Sequence, residues 1–138
     1  MLEHLLARIM SGGLIIEPAF SARTVRREPP PPPYKKVSTF LNLPEFIPGL
    51  GALYVDPKSF WYGPFLAYDR RGRLVSTIYT VPIKDFDGHV MISELPAPGG
   101  RVNHVSFCFH APHPGIEEPH YHIILWHIRK NHEKCVAT

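Results

Sequence analysis

A chain of 138 residues, 44% hydrophobic and 20% charged, holds one domain with a genuine core, which excludes a two-domain enzyme. Sixteen prolines break the chain too often for long helices, which argues against a helical bundle. Fifteen basic against twelve acidic residues leave a net charge of +3. The basic residues fall into three small groups, around Arg23–Lys36, Arg70–Arg73 and Arg129–Lys134, which reads as solvated surface and not as a nucleic-acid interface.

At the N-terminus, Leu2, Leu5, Leu6 and Ile9 recur at helical spacing, and Ser11-Gly12-Gly13 supplies a stop. Glu3, His4 and Arg8 interrupt the apolar run, so it is neither a signal-peptide core nor a membrane span. A helix this short needs a surface to dock on, either its own domain or a neighbouring subunit. Five consecutive prolines follow at residues 29–33, and they favour an extended rod of about 3 Å per residue. The predicted organisation is an arm over residues 1–28, a polyproline strap over 29–36, a β domain over 37–131 and a tail over 132–138.

Within the body the periodicity shortens to two, the signature of strands with one buried face. Strands are predicted at 52–55, 64–68, 74–81, 101–110 and 121–128. Asp69-Arg70-Arg71-Gly72-Arg73 is a polar hairpin turn, Asp87-Gly88 a second turn, and residues 111–119 a proline-rich loop. The class implied is all-β, mainly antiparallel, a small barrel or sandwich with a short N-terminal helical arm.

Histidine is where the composition departs from the ordinary, because six of the nine lie between positions 104 and 127. Alternation puts His104, Ser106, Cys108 and His110 on one face of their strand and Val105, Phe107 and Phe109 on the other. His120 and His122 share a face of the next strand, and His113 lies on the loop between. An HxH pair aims two imidazoles the same way, and a third from an adjacent strand completes a three-nitrogen site with an open position. The candidate ligands are His104, His110, His113, His120 and His122, with the set His104, His120 and His122 as the concrete version and His110 or His113 assisting. Nitrogen ligation suits Zn, Fe, Mn or Cu and disfavours Mg and Ca. His127 points to the opposite face and His132 lies in the charged tail, so both are read as structural or surface groups. Glu94, Glu117 and Glu118 are read as solvated loop carboxylates, with a fourth ligand or general base as the other option.

Cys108 and Cys135 form no disulfide framework or CxxC knuckle, which leans the compartment toward the cytoplasm. Cys108 beside His110 superficially mimics a nucleophile pair, but burial as a small hydrophobe is the usual fate of a free cysteine. There is no GxSxG elbow, GxxxxGK[ST] phosphate loop or GxGxxG turn.

From about residue 49 to 128 the chain resembles a small, uncharacterised, thermophile-associated prokaryotic β-domain family. The likeness rests on Gly51-Ala52-Leu53-Tyr54-Val55-Asp56-Pro57, Gly63-Pro64-Phe65 before a hairpin, His104-Val105 opening a strand, His113, and Pro119-His120-Tyr121. It implies a compact β domain that tends to self-assemble and brings no established enzymatic activity; the sites it carries over are His104, His113 and His120. The chain has Leu53 and Ile124 at two positions where the family pattern often has histidine.

The function read from the sequence is a divalent transition metal held by histidines of the last two strands in a homo-oligomer, with room for cupin-like catalysis on an unidentified small molecule. The competing reading is a structural or interaction protein whose histidines bond one another and whose arm and strap link subunits.

Overall fold

The computed structural model describes residues 25–113 and 115–137. Six strands form one antiparallel sheet: β1 (Lys35–Lys36), β2 (Ala52–Val55), β3 (Phe65–Tyr68), β4 (Leu74–Pro82), β5 (His104–His110) and β6 (His120–Trp126). Their order is β1-β2-β3-β4-β6-β5. The all-β antiparallel class is thus the one alternation predicts, while the helix expected near the N-terminus lies outside the described residues. The sheet is open, since no pairing among the described residues joins its edge strands β1 and β5. A second layer comes instead from chain 37–50 and the turn near residue 113, which fold over one face.

Strand β4 is central because its β-branched Val75, Thr77, Ile78, Thr80 and Val81 suit a surface covered on both sides. The turn before it closes as the sequence predicts. Gly72 takes φ +78°, and the buried Asp69 carboxylate accepts from the backbone N–H groups of Arg71 and Arg73 and from Arg73 Nε. Pro82 ends β4, and a single-turn helix, α1 (Ile83–Asp87), follows and stops at Gly88 where a turn was expected.

Adjacent residues of β2 and β3 feed two cores on opposite faces. One contains Val37, Val55, Phe65, Ala67, Ile78, Ile124 and Trp126; the other contains Val25, Tyr34, Ala52, Tyr54, Leu66 and Tyr68. Tyr68 Oη donates to the Val25 carbonyl at 2.6 Å, and Tyr54 Oη donates to Glu28 at 2.7 Å. The proline segment does not stand clear of the body. Glu28 N–H donates to the Gly72 carbonyl, Tyr34 N–H turns back to Pro31, and Lys35–Lys36 pairs with β2. Val136 is buried in the first core, so the body extends on both sides of the 37–131 span.

Candidate metal centre

The site is built by the register of one hairpin. His110 lies directly across from His120, and Cys108 across from His122, in the β5–β6 ladder. Period-two alternation turns His120 and His122 to the same face, where they are buried at 0% and 7% exposure. The loop then folds back: His113 and Ile116 exchange backbone hydrogen bonds, each 3.0 Å, and Ile116 is buried. Gly115 at φ +95° makes that tight reversal, and a Cβ there would press to 3.3 Å from Leu41 Cδ1. His113 is thereby brought over the sheet, with its ring centroid 4.9 Å from that of His120.

Ligand-capable atoms of His113, His120 and His122 lie within 4.8 Å of one another. In a tetrahedral nitrogen site neighbouring ligand atoms are about 3.4 Å apart, so the group closes on an ion by motion of roughly 1 Å. His120 Nδ1–H donates to the Glu118 carbonyl at 2.7 Å, which leaves Nε2 as a lone-pair donor. Among the described residues, His120 Nε2 and His122 Nδ1 are buried without a hydrogen-bond partner. Two such nitrogens within one cluster are costly unless something binds them.

Electrostatics keep the cluster ready for a cation. Burial, then the neighbouring His110, His120 and His113, push the His122 ring down to about 3. His110 is lowered by burial and by His120 and His113. His120 is lowered chiefly by burial, against the opposing pull of the Glu118 carbonyl. Neutral imidazole, the form that ligates, is therefore the resting state of these rings at neutral pH.

The structure gathers four of the five candidate histidines. His110 is at the cluster, 4.0 Å from His122 between ring centroids, although the compact three-nitrogen group is His113, His120 and His122. His104 is not brought to it. It shares the buried face but pairs with Trp126 at the far end of β5, about 20 Å along the strand from His110 by strand rise. There it stacks on Trp126, and its nitrogens meet Asn103 and Glu133. The loop residue His113 takes the place expected for His104, because same-face alternation fixes a direction but not a position along the strand.

Glu94 and Glu117 are exposed. The Glu118 carboxylate pairs with Lys84 at 2.8 Å, so its part in the site is its backbone carbonyl. Cys108 is a free thiol, partly buried against the core. His127 bonds Thr77 Oγ1 at 2.7 Å and the Arg101 carbonyl at 2.8 Å, and burial lowers its pKa. His132 is exposed.

The sequence reading missed a cavity of about 250 Å³ between the sheet and the 37–50 segment, lined at one end by His110, His113 and His122. The apolar residues Leu41, Leu43, Ile47 and Leu50 were its only signal, and no strand or helix period organises them.

Fold and site together define an open antiparallel β protein whose buried histidine face is geometrically able to hold a metal ion. The chain is similar to a hypothetical protein of Thermus thermophilus, TTHB210, with 42% identity and a TM-score of 0.60 over 69% of this chain and 93% of that one. It belongs to the same family. No family model and no curated protein matches. Among the described residues no helix is long and apolar enough to cross a membrane.

Proposed function

We propose that the protein binds one divalent transition metal (Zn, Fe, Mn or Cu) through His113, His120 and His122, with a further coordination position left open. The observation that carries this reading is a pair of buried nitrogens, His120 Nε2 and His122 Nδ1, without partners among the described residues, on two of the three histidines whose ligand-capable atoms lie within 4.8 Å of one another. A purely structural histidine network would satisfy them with one another. Nitrogen donors of this kind favour transition metals over Mg or Ca. His110 stands beside the group as a neutral base able to accept a proton, the placement that cupin-like chemistry on a bound molecule would need.

The test is metal analysis of protein purified without an affinity tag or chelator. About one transition-metal ion per chain is expected, with a rise in melting temperature on adding the metal to stripped protein. Less than about 0.1 ion per chain, with no thermal response to any of the four metals, overturns the proposal.

We also propose that the chain self-associates. In support, the edge strand β5 carries Val105, Phe107 and Phe109 at 49%, 70% and 57% exposure on the face opposite the histidines. Light scattering should give a mass above one chain, and Phe107→Ser should lower it; a monomeric native chain defeats this part without touching the metal site.

A further inference from the structure

Between the sheet and the covering segment lies a partly open cleft of about 250 Å³. Its wall is apolar over most of its extent, from Leu41 and Leu43 on the covering segment to Leu53, Phe65 and Ile78 on the sheet. Among the described residues the polar lining is confined to His110, His113, His122 and Thr80. Register gathers these at one end: Thr80 lies across from His122 in the β4–β6 ladder, and the rings of His110 and His122 are 4.0 Å apart. A space with one coordinating end and a hydrocarbon body specifies its occupant by chemistry. Water gains few hydrogen bonds along the apolar part, whereas an apolar cavity of roughly 150 Å³ already takes up benzene. An ion held by the three histidines would face this space, since His113 and His122 line both.

We propose that the cavity binds a small apolar organic molecule, of about monocyclic-aromatic size, whose single nitrogen or oxygen donor takes the open position of the metal. The inference rests on the metal reading above and adds to it the class of ligand. A polar metabolite such as a sugar or a nucleotide phosphate is excluded by the same wall, because its remaining polar groups would be buried without partners.

The experiment uses the full chain, stripped and then reloaded with Co(II), and three probes: imidazole as donor alone, toluene as apolar body alone, and 4-phenylimidazole as both. Cobalt content is measured first, and calorimetry and the visible cobalt spectrum then follow each probe. 4-Phenylimidazole should bind the loaded protein at least about tenfold more tightly than imidazole or toluene, perturb the cobalt bands, and lose that advantage in the metal-free chain. Ile47→Trp, on the covering segment, should weaken 4-phenylimidazole about tenfold while leaving cobalt content and imidazole binding unchanged. Leu53→Phe, on the opposite wall, repeats the test independently should the first variant fold poorly.

Equal affinity for imidazole and 4-phenylimidazole would show that the cavity contributes nothing, and equal affinity for toluene and 4-phenylimidazole would show that the donor does not reach the ion. Either result, with cobalt bound, overturns this inference and spares the metal site. A chain that takes up no cobalt is reloaded with whichever of Zn, Fe, Mn or Cu it binds and probed by calorimetry against the same criteria, and one that takes up none of the five metals overturns both.

Discussion

The two halves of the sheet are packed by different rules. Strands β2, β3 and β4 are covered on both faces, and nearly every residue in them is buried. Among the described residues the β5–β6 ribbon is covered on one face only: its burial alternates strictly, with β6 buried at His120, His122, Ile124 and Trp126 and β5 partly buried at His104, Ser106, Cys108 and His110. The ribbon also turns the usual preference around, because its histidines face inward while Phe107 and Phe109 face out. In the first half apolar packing specifies the structure. In the second, apolar burial is given up to hold polar rings together, an arrangement expected where a site and not a core is being built.

The contrast breaks most visibly under truncation of the doubly covered half. Leu66, fully buried in β3, should cost about 2 to 5 kcal/mol as Leu66→Ala, read from the denaturation midpoint. A cost below about 1 kcal/mol would mean that this half is as loosely covered as the ribbon. On the proposed metal reading, His120→Ala should weaken metal binding by at least about 100-fold in a competition titration while leaving the circular dichroism of the sheet intact, because β6 keeps its ladders to β4 and β5. Retention of full affinity would remove His120 from the ligand set.

Proton linkage gives a subtler difference. His122 is pushed down to about 3 in the folded protein, against about 6.5 in the unfolded chain. Above pH 6.5 the ring is neutral in both states, so it adds no pH dependence. Below that value the unfolded chain takes up a proton that the folded chain refuses, and stability falls with pH until the folded ring itself titrates near 3. Urea unfolding of metal-free protein between pH 7 and 4.5 should show this loss, at up to about 1.4 kcal/mol per pH unit from this ring. His122→Gln should make the slope shallower, with the remainder left to His110, His120 and His127, whose pKa values are also lowered; an unchanged slope would assign the acid sensitivity to those groups alone.

Two smaller effects sharpen the comparison from either side. Tyr68→Phe deletes the buried hydrogen bond to Val25 and should cost about 1 kcal/mol. Phe107→Ser, on the uncovered face, should change the stability of the dissociated chain by less than about 0.5 kcal/mol. A larger loss would show that this face is covered within a single chain.

Much of this was already written in the local sequence. Alternation located β2 through β6 to within three residues at their ends, Gly72 and Asp69 marked the hairpin, and the HxH spacing of His120 and His122 put two rings on one face. These are properties of neighbours in the chain, set by the two-residue repeat of a strand and by the few residues that accept a positive φ. The tertiary structure alone decided which face of the ribbon is inside. It also decided that β6 inserts between β4 and β5, that Leu41, Leu43 and Ile47 arch over the sheet, and that His113 joins the cluster while His104 stays with Trp126 and Glu133. Those outcomes depend on contacts between segments far apart in sequence, where the free energy comes from surfaces that meet only once the chain has closed on itself, and no local period records them.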